Sequence, residues 1–246
     1  MIRIRFNSLF QILGAVLVTC AFSSSSFAQS TIFNIPSTDV VAKGKTYFEF
    51  DFFRHLESDK NGGFTTVVPR VVVGAGHGVE MGLNLAVTSS ANPTTVYIQP
   101  NIKYQFFSNE KEGTALTAGV LAFIPAKDRK FNDTFTMLYM NGSKKFSGDL
   151  GPRVTAGAYG LISYDAATGP NSKKPSLAGA MLGFEQPLTK KVSLVADWFS
   201  GNNAVGYVTP GFSFSLPKNS LLNVGYTIGN FGHKNNALYI YYGITF

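Results

Sequence analysis

Cysteine is almost missing from this chain of 246 residues: there is one, Cys20. It falls inside a segment that reads as a secretory leader. Residues 1–28 start on the basic MIRIR, continue through an apolar run from Leu9 to Phe22, and end with Ser26 and Ala28 before Gln29, an A-x-A-like cleavage pattern. The apolar run falls short of the ~20 residues a spanning helix needs, and serines follow it, which argues for cleavage over an anchor. Without the leader the chain has no thiol, so disulfides, zinc–thiolate centres and cysteine nucleophiles are excluded. Charge is scarce too, at 14% of residues. The 21 Lys and Arg, less Arg3 and Arg5 of the leader, give 19 against 14 acidic residues, a mild excess of about +5. The basic residues are scattered, so nucleic acid is not an expected partner. The three histidines, His55, His77 and His233, fall in connections, and no metal-ligand spacing, Walker loop or dinucleotide-type glycine pattern occurs. No cofactor and no metal are expected.

Long apolar runs are also missing after residue 28, and no segment keeps helical periodicity over several turns. What is present is alternation of period two. Val79, Met81, Leu83, Leu85 and Val87 alternate with Glu80, Gly82, Asn84, Ala86 and Thr88, and Val96 to Phe106 does the same. Twelve such segments are predicted, at 46–54, 64–74, 78–88, 95–107, 114–125, 134–146, 152–163, 176–188, 192–200, 204–216, 220–230 and 237–246. That strand content far exceeds the ~20 to 25% of soluble domains. A bilayer offers no partner for backbone N–H and C=O groups, so a sheet that spans it must close on itself and turn apolar side chains outward. The pattern therefore predicts an all-β fold, a transmembrane antiparallel up-and-down β-barrel of about 12 strands over residues 46–246. Residues 29–45, which lack alternation, would either stay periplasmic or enter the lumen.

On the parity that faces outward, mid-strand positions are uncharged. A Lys or Arg there would cost ~2 to 4 kcal/mol at the midplane. The charges occupy the other parity: Glu49, Asp51, Arg70, Glu80, Lys103, Arg153, Glu185 and Asp197. With turns centred near residues 59–60, 75 and 91–92, Glu49 would face Arg70, Arg70 would face Glu80, and Glu80 would face Lys103. A turn near residues 169–170 would set Arg153 against Glu185. This ladder either crosslinks a narrow lumen or forms a constriction that selects solutes. From the ninth strand to the twelfth the inward parity is neutral but for Asp197: Tyr207, Thr209, Ser213, Asn223, Thr227, Tyr239 and Tyr241, interleaved with Gly211, Gly225, Gly229 and Gly243. Such a wall could hold an uncharged polar or aromatic solute, or its glycines could simply make room for tyrosines. A charged wall is expected to face this neutral one. Tyr47, Phe106, Phe107, Trp198, Phe214 and Phe246 near strand ends suit interfacial girdles.

The last residues place Leu238, Ile240, Tyr242, Ile244 and Phe246 on one face. This resembles the C-terminal assembly signal of bacterial outer-membrane β-barrels, in which a final aromatic follows alternating apolar positions. Residues 196–230, ADWFSGNNAVGYVTPGFSFSLPKNSLLNVGYTIGN, resemble the closing hairpins of small transporter-like barrels grouped with the meta-pathway phenol-degradation outer-membrane proteins. That resemblance implies a bacterial outer-membrane location and passage of small, aromatic or hydrophobic compounds. It also implies contact with outer-membrane lipids and lipopolysaccharide and with the barrel assembly machinery. The cluster Lys127, Arg129 and Lys130, with Lys173 and Lys174, suits lipopolysaccharide phosphates. Two other readings stand beside the channel: a closed structural or adhesive barrel, and a hydrolase using His55 or His233 at the outer rim. No catalytic residue is assigned, and an enzyme is not expected.

Overall fold

A computed structural model describes residues 29–90, 94–126, 134–148, 150–164, 174–230 and 235–246. Twelve strands follow one another: β1 (Thr46–Arg54), β2 (Phe64–Gly76), β3 (Val79–Ser90), β4 (Thr95–Asn109), β5 (Thr114–Pro125), β6 (Phe135–Lys145), β7 (Arg153–Ile162), β8 (Ala178–Pro187), β9 (Val192–Phe199), β10 (Tyr207–Leu216), β11 (Ser220–Gly229) and β12 (Ala237–Thr245). Each pairs antiparallel with its chain neighbours, and β12 closes the sheet against β1 with Tyr47 opposite Thr245 and Arg54 opposite Leu238. The fold is thus the all-β up-and-down barrel that the alternation predicts. Strand limits agree with the sequence reading to within three residues.

The two parities have opposite fates. Leu83, Met140 and Leu182 lie outward and are 53, 60 and 46% exposed, as are Val71, Ile98, Leu138 and Phe212 at similar levels. A contiguous apolar belt of that kind is unfavourable in water by roughly 25 cal/mol per Å², so the outer face suits an apolar medium. On the inner parity Glu49, Asp51, Glu80, Lys103 and Asp197 are all nearly inaccessible. Their burial is tolerable only because each has a partner.

Two expectations need correction. The β2–β3 turn centres on His77, two residues later than Ala75. Gly76, His77 and Gly78 all take positive φ, a backbone that glycine adopts freely, and a register shift between Gly74 and Gly76 absorbs the odd residue. Arg70 therefore faces Asn84, and Glu80 faces Gly74. Tyr47 is the second. It shares the parity of Glu49 and points into the lumen, 1% exposed, with its hydroxyl donating to Glu49 Oε2 at 2.6 Å, so it belongs to no girdle.

Candidate functional site

The barrel interior holds the chain's own N-terminal segment. Residues 29–37 form a tight hairpin: Ile32 N–H donates to Ile35 O at 2.9 Å, Ser37 N–H donates to Ser30 O at 3.0 Å, and Thr31 bridges Pro36. The segment then runs out past Val41 and Ala42 over Gly74, where an added Cβ would lie 2.1 Å from Ala42 O. This end carries the chain termini of the barrel and the turns at residues 77–78 and 217–219. Ile32, Phe33 and Ile35 are fully buried. Burying three large apolar side chains is worth roughly 1.5 to 3 kcal/mol each, a strong drive for the hairpin to occupy the lumen.

Strands β1–β4 make the charged wall. Arg70 reaches Glu49 at 3.0 Å and Asp51 at 2.9 Å from its two terminal nitrogens. Lys103 pairs with Glu80 at 2.9 Å, in register across β3 and β4. Glu49 faces Arg70 across β1 and β2. Because Arg70 is opposite Asn84, the ladder is two separate clusters rather than one continuous alternation. Both clusters also touch the N-terminal segment, the first through Arg70 Nη1, which donates to Thr31 Oγ1 at 3.3 Å. Ser30 Oγ donates to Glu80 at 2.6 Å, Val41 N–H donates to the other Glu80 oxygen at 2.7 Å, and Lys103 Nζ donates to Ser30 O at 3.1 Å.

Arg153 faces Glu185 across β7 and β8, but its guanidinium favours the segment. Its terminal nitrogens lie 2.7 and 2.9 Å from the two Asp39 carboxylate oxygens, against 3.8 Å to Glu185. A two-pronged Arg–carboxylate contact is among the stronger ion pairs.

The neutral wall of β9–β12 holds the hairpin by its backbone. Asp197 accepts from three successive amides, Phe33 at 3.0 Å, Asn34, and Ile35 at 2.8 Å. Asn223 Nδ2 donates to Ile32 O at 3.0 Å, Tyr241 Oη to the same oxygen at 3.0 Å, and Tyr239 Oη to Phe33 O at 3.0 Å. Asn34 Nδ2 donates to Thr209 Oγ1 at 2.7 Å, and Thr209 shares a hydrogen bond with Thr227. Tyr207 and Ser213 are half-buried and stand aside from these contacts. Gly243 makes room for a tyrosine, Tyr47, whereas others make room for the segment: an added Cβ at Gly211 or Gly225 would lie 2.7 or 2.8 Å from the Phe33 ring, and one at Gly183 would lie 2.5 Å from Ile32. Since β12 pairs with β1, the neutral wall lies beside the charged wall, so the two do not face each other as expected.

Sequence reasoning did not identify Ser30, Phe33, Asn34 and Asp39 as site residues. The signals available were the apolar Phe33, Ile35, Val40 and Val41, which need cover, and the row of glycines at inward positions, which needs a bulky neighbour to fill it. At the other end of the barrel, aromatic rings gather: Phe53 stacks on Tyr239 at 4.0 Å, Phe123 on Phe135 at 4.2 Å, and Tyr159 meets Phe199 edge-on at 5.1 Å. His55 stacks on Phe64 and its Nδ1–H bonds the Asn236 carbonyl. His77 occupies the β2–β3 turn. His233, Lys127, Arg129, Lys130 and Lys173 lie outside the described residues. Leu238, Ile240, Tyr242, Ile244 and Phe246 share the outer face at the closing seam. Among the described residues, no cluster of His, Asp or Glu has the arrangement of a metal centre.

No protein-family model and no curated protein matches the chain. Among solved structures, an outer membrane channel from Pseudomonas putida F1 matches with a TM-score of 0.52 at 14% identity, over 85% of this chain and 98% of that one. A mutant of Rh. blastica porin matches with a TM-score of 0.32 at 8% identity, over 82% of this chain and 97% of the porin. The first is a likeness of fold.

Proposed function

We propose that the chain is an outer-membrane channel for small solutes whose lumen carries an internal strap, residues 29–44. The observation that supports it best is how the strap is attached. Apart from the backbone contacts of Gly44 and Lys45 with Gly74, it is held by side-chain contacts to strands rather than by a sheet ladder. Such an insert can leave the lumen without opening the barrel. The outward apolar belt supports placement in a bilayer, and the fold likeness to an outer membrane channel agrees. Removal of residues 1–28, recognition of the terminal strand by the assembly machinery, and contact with lipopolysaccharide complete this reading. Grouping with the meta-pathway phenol-degradation proteins, and with it aromatic or hydrophobic solutes, is the finer form of the proposal. The role is passage rather than catalysis.

A closed structural barrel is the competing reading, favoured by the complete burial of Ile32, Phe33 and Ile35. Planar-bilayer recordings separate the two. The full chain should open in rare discrete steps, and a chain lacking residues 29–40 should conduct steadily. Silence from both would leave the structural reading standing.

A further inference from the structure

We propose that the pocket filled by Phe33 is a binding site for small aromatic ammonium ions of the 2-phenylethylammonium type, for which the strap is a built-in stand-in. The proposal names a solute class for the channel and rests on that reading only for how the solute arrives.

The stand-in has a definite chemistry. Phe33 presents a phenyl ring, two carbons and a nitrogen, the skeleton of 2-phenylethylamine. Its amide donates to Asp197 Oδ2 at 3.0 Å. Its ring lies over Gly211 and Gly225, where any Cβ would collide with it, and beside Tyr239 and Tyr241 at centroid distances of 5.4 and 6.2 Å. The tilted and edge-on geometries are those aromatic pairs prefer.

The acceptors fit an ammonium better than they fit an amide. Beside the Phe33 nitrogen, a second one, Asn34 Nδ2, lies 3.3 Å from Asp197 Oδ1 and 2.7 Å from Thr209 Oγ1, so donors already converge on both groups. An ammonium has three N–H donors for the two Asp197 oxygens and the Thr209 hydroxyl. Asp197 is 2% exposed, and while Glu49, Asp51, Glu80, Asp39 and Glu185 each meet a Lys or Arg, Asp197 is held, among the described residues, by amides. A solute that displaces the strap must supply donors to this carboxylate, because leaving it bare is costly. A neutral hydrocarbon does not, an aromatic carboxylate is repelled, and an alkylammonium leaves the glycine pocket empty.

Calorimetry on the full chain in detergent, with 2-phenylethylammonium chloride as probe, tests this. Phe33→Ala vacates the ring position and weakens the hold of the strap that the probe must displace from Asp197, so it should bind the probe at least tenfold more tightly than the unaltered chain. Asp197→Asn added to Phe33→Ala should weaken binding at least tenfold, and butylammonium and 2-phenylethanol should bind Phe33→Ala at least tenfold more weakly than the probe does. Absence of binding, indifference to Asp197→Asn, or equal binding of either control overturns the site. Should Phe33→Ala lose the mobility shift on boiling that marks a folded barrel, the unaltered chain is titrated instead. There the probe should accelerate proteolysis of residues 29–44, and no acceleration overturns the site. Binding is read without a membrane, so a barrel that binds the probe yet stays silent in bilayers fails as a channel while keeping the site.

Discussion

Strands β1–β4 and β9–β12 form adjacent arcs of one lumen and spend their polar groups differently. In the first arc, opposite charges on neighbouring strands satisfy each other, and the strap takes up what capacity remains on Glu80 and Lys103. In the second, Asp197, Asn223, Tyr239 and Tyr241 direct their contacts to the backbone of the strap. The charges of the first arc are paired strand to strand before the strap adds to them; the polar groups of the second arc mostly meet the strap itself. A filled barrel and a binding surface can therefore share one interior.

Removing a charge from the first arc should damage the barrel itself. Arg70→Ala strands Glu49 and Asp51, and loss of one partner of a buried pair costs about 3 to 5 kcal/mol. The urea midpoint of the folded band should fall accordingly, and the triple change Glu49→Gln, Asp51→Asn, Arg70→Met should recover most of it. An unchanged midpoint for Arg70→Ala would erase the distinction between the arcs.

Removing the charge from the second arc should release the strap and spare the barrel. Asp197→Ala takes away the acceptor of three amides, and the loss of even one such bond to a charged group costs about 1.5 to 3 kcal/mol. Protease cleavage within residues 29–44 should accelerate about tenfold to a hundredfold, with the boiling-dependent mobility shift intact. Loss of that shift would make Asp197 a structural charge like Arg70.

The smallest effect sharpens the contrast within the second arc. Tyr241→Phe keeps the ring and removes a hydroxyl that donates to Ile32 O, worth about 0.5 to 1.5 kcal/mol. Strap cleavage should rise a few-fold at most. A response as large as that of Asp197→Ala would shift the anchoring from the carboxylate to the tyrosines.

The strands were legible because the demand on them is repetitive: outward positions must be apolar, so a period of two persists through twelve segments. Register was legible wherever the turn was unambiguous, as for Glu80 opposite Lys103 and Arg153 opposite Glu185. It failed at β2–β3, where Gly74, Gly76 and Gly78 offer several turn positions and only packing chooses among them. The strap's place was harder to read. The partners of its tip are side chains more than 150 residues away, such as Asp197 for Ile35 and Tyr239 for Phe33, and no local period reports them. The resemblance drawn from residues 196–230 concerned the wall that the strap covers, and it carried no trace of what covers it.

The distance in sequence between the strap and its anchors also sets an order of assembly. Residues 32–35 are made first, yet the side chains that fix them lie on β9, β11 and β12, which are made last. The tip can take its full set of anchors only once β12 has been made, and until then its apolar side chains need shelter elsewhere. Docking of the tip is thus among the last events of assembly: until β12 is in place, a newly made chain keeps its amino end open to protease.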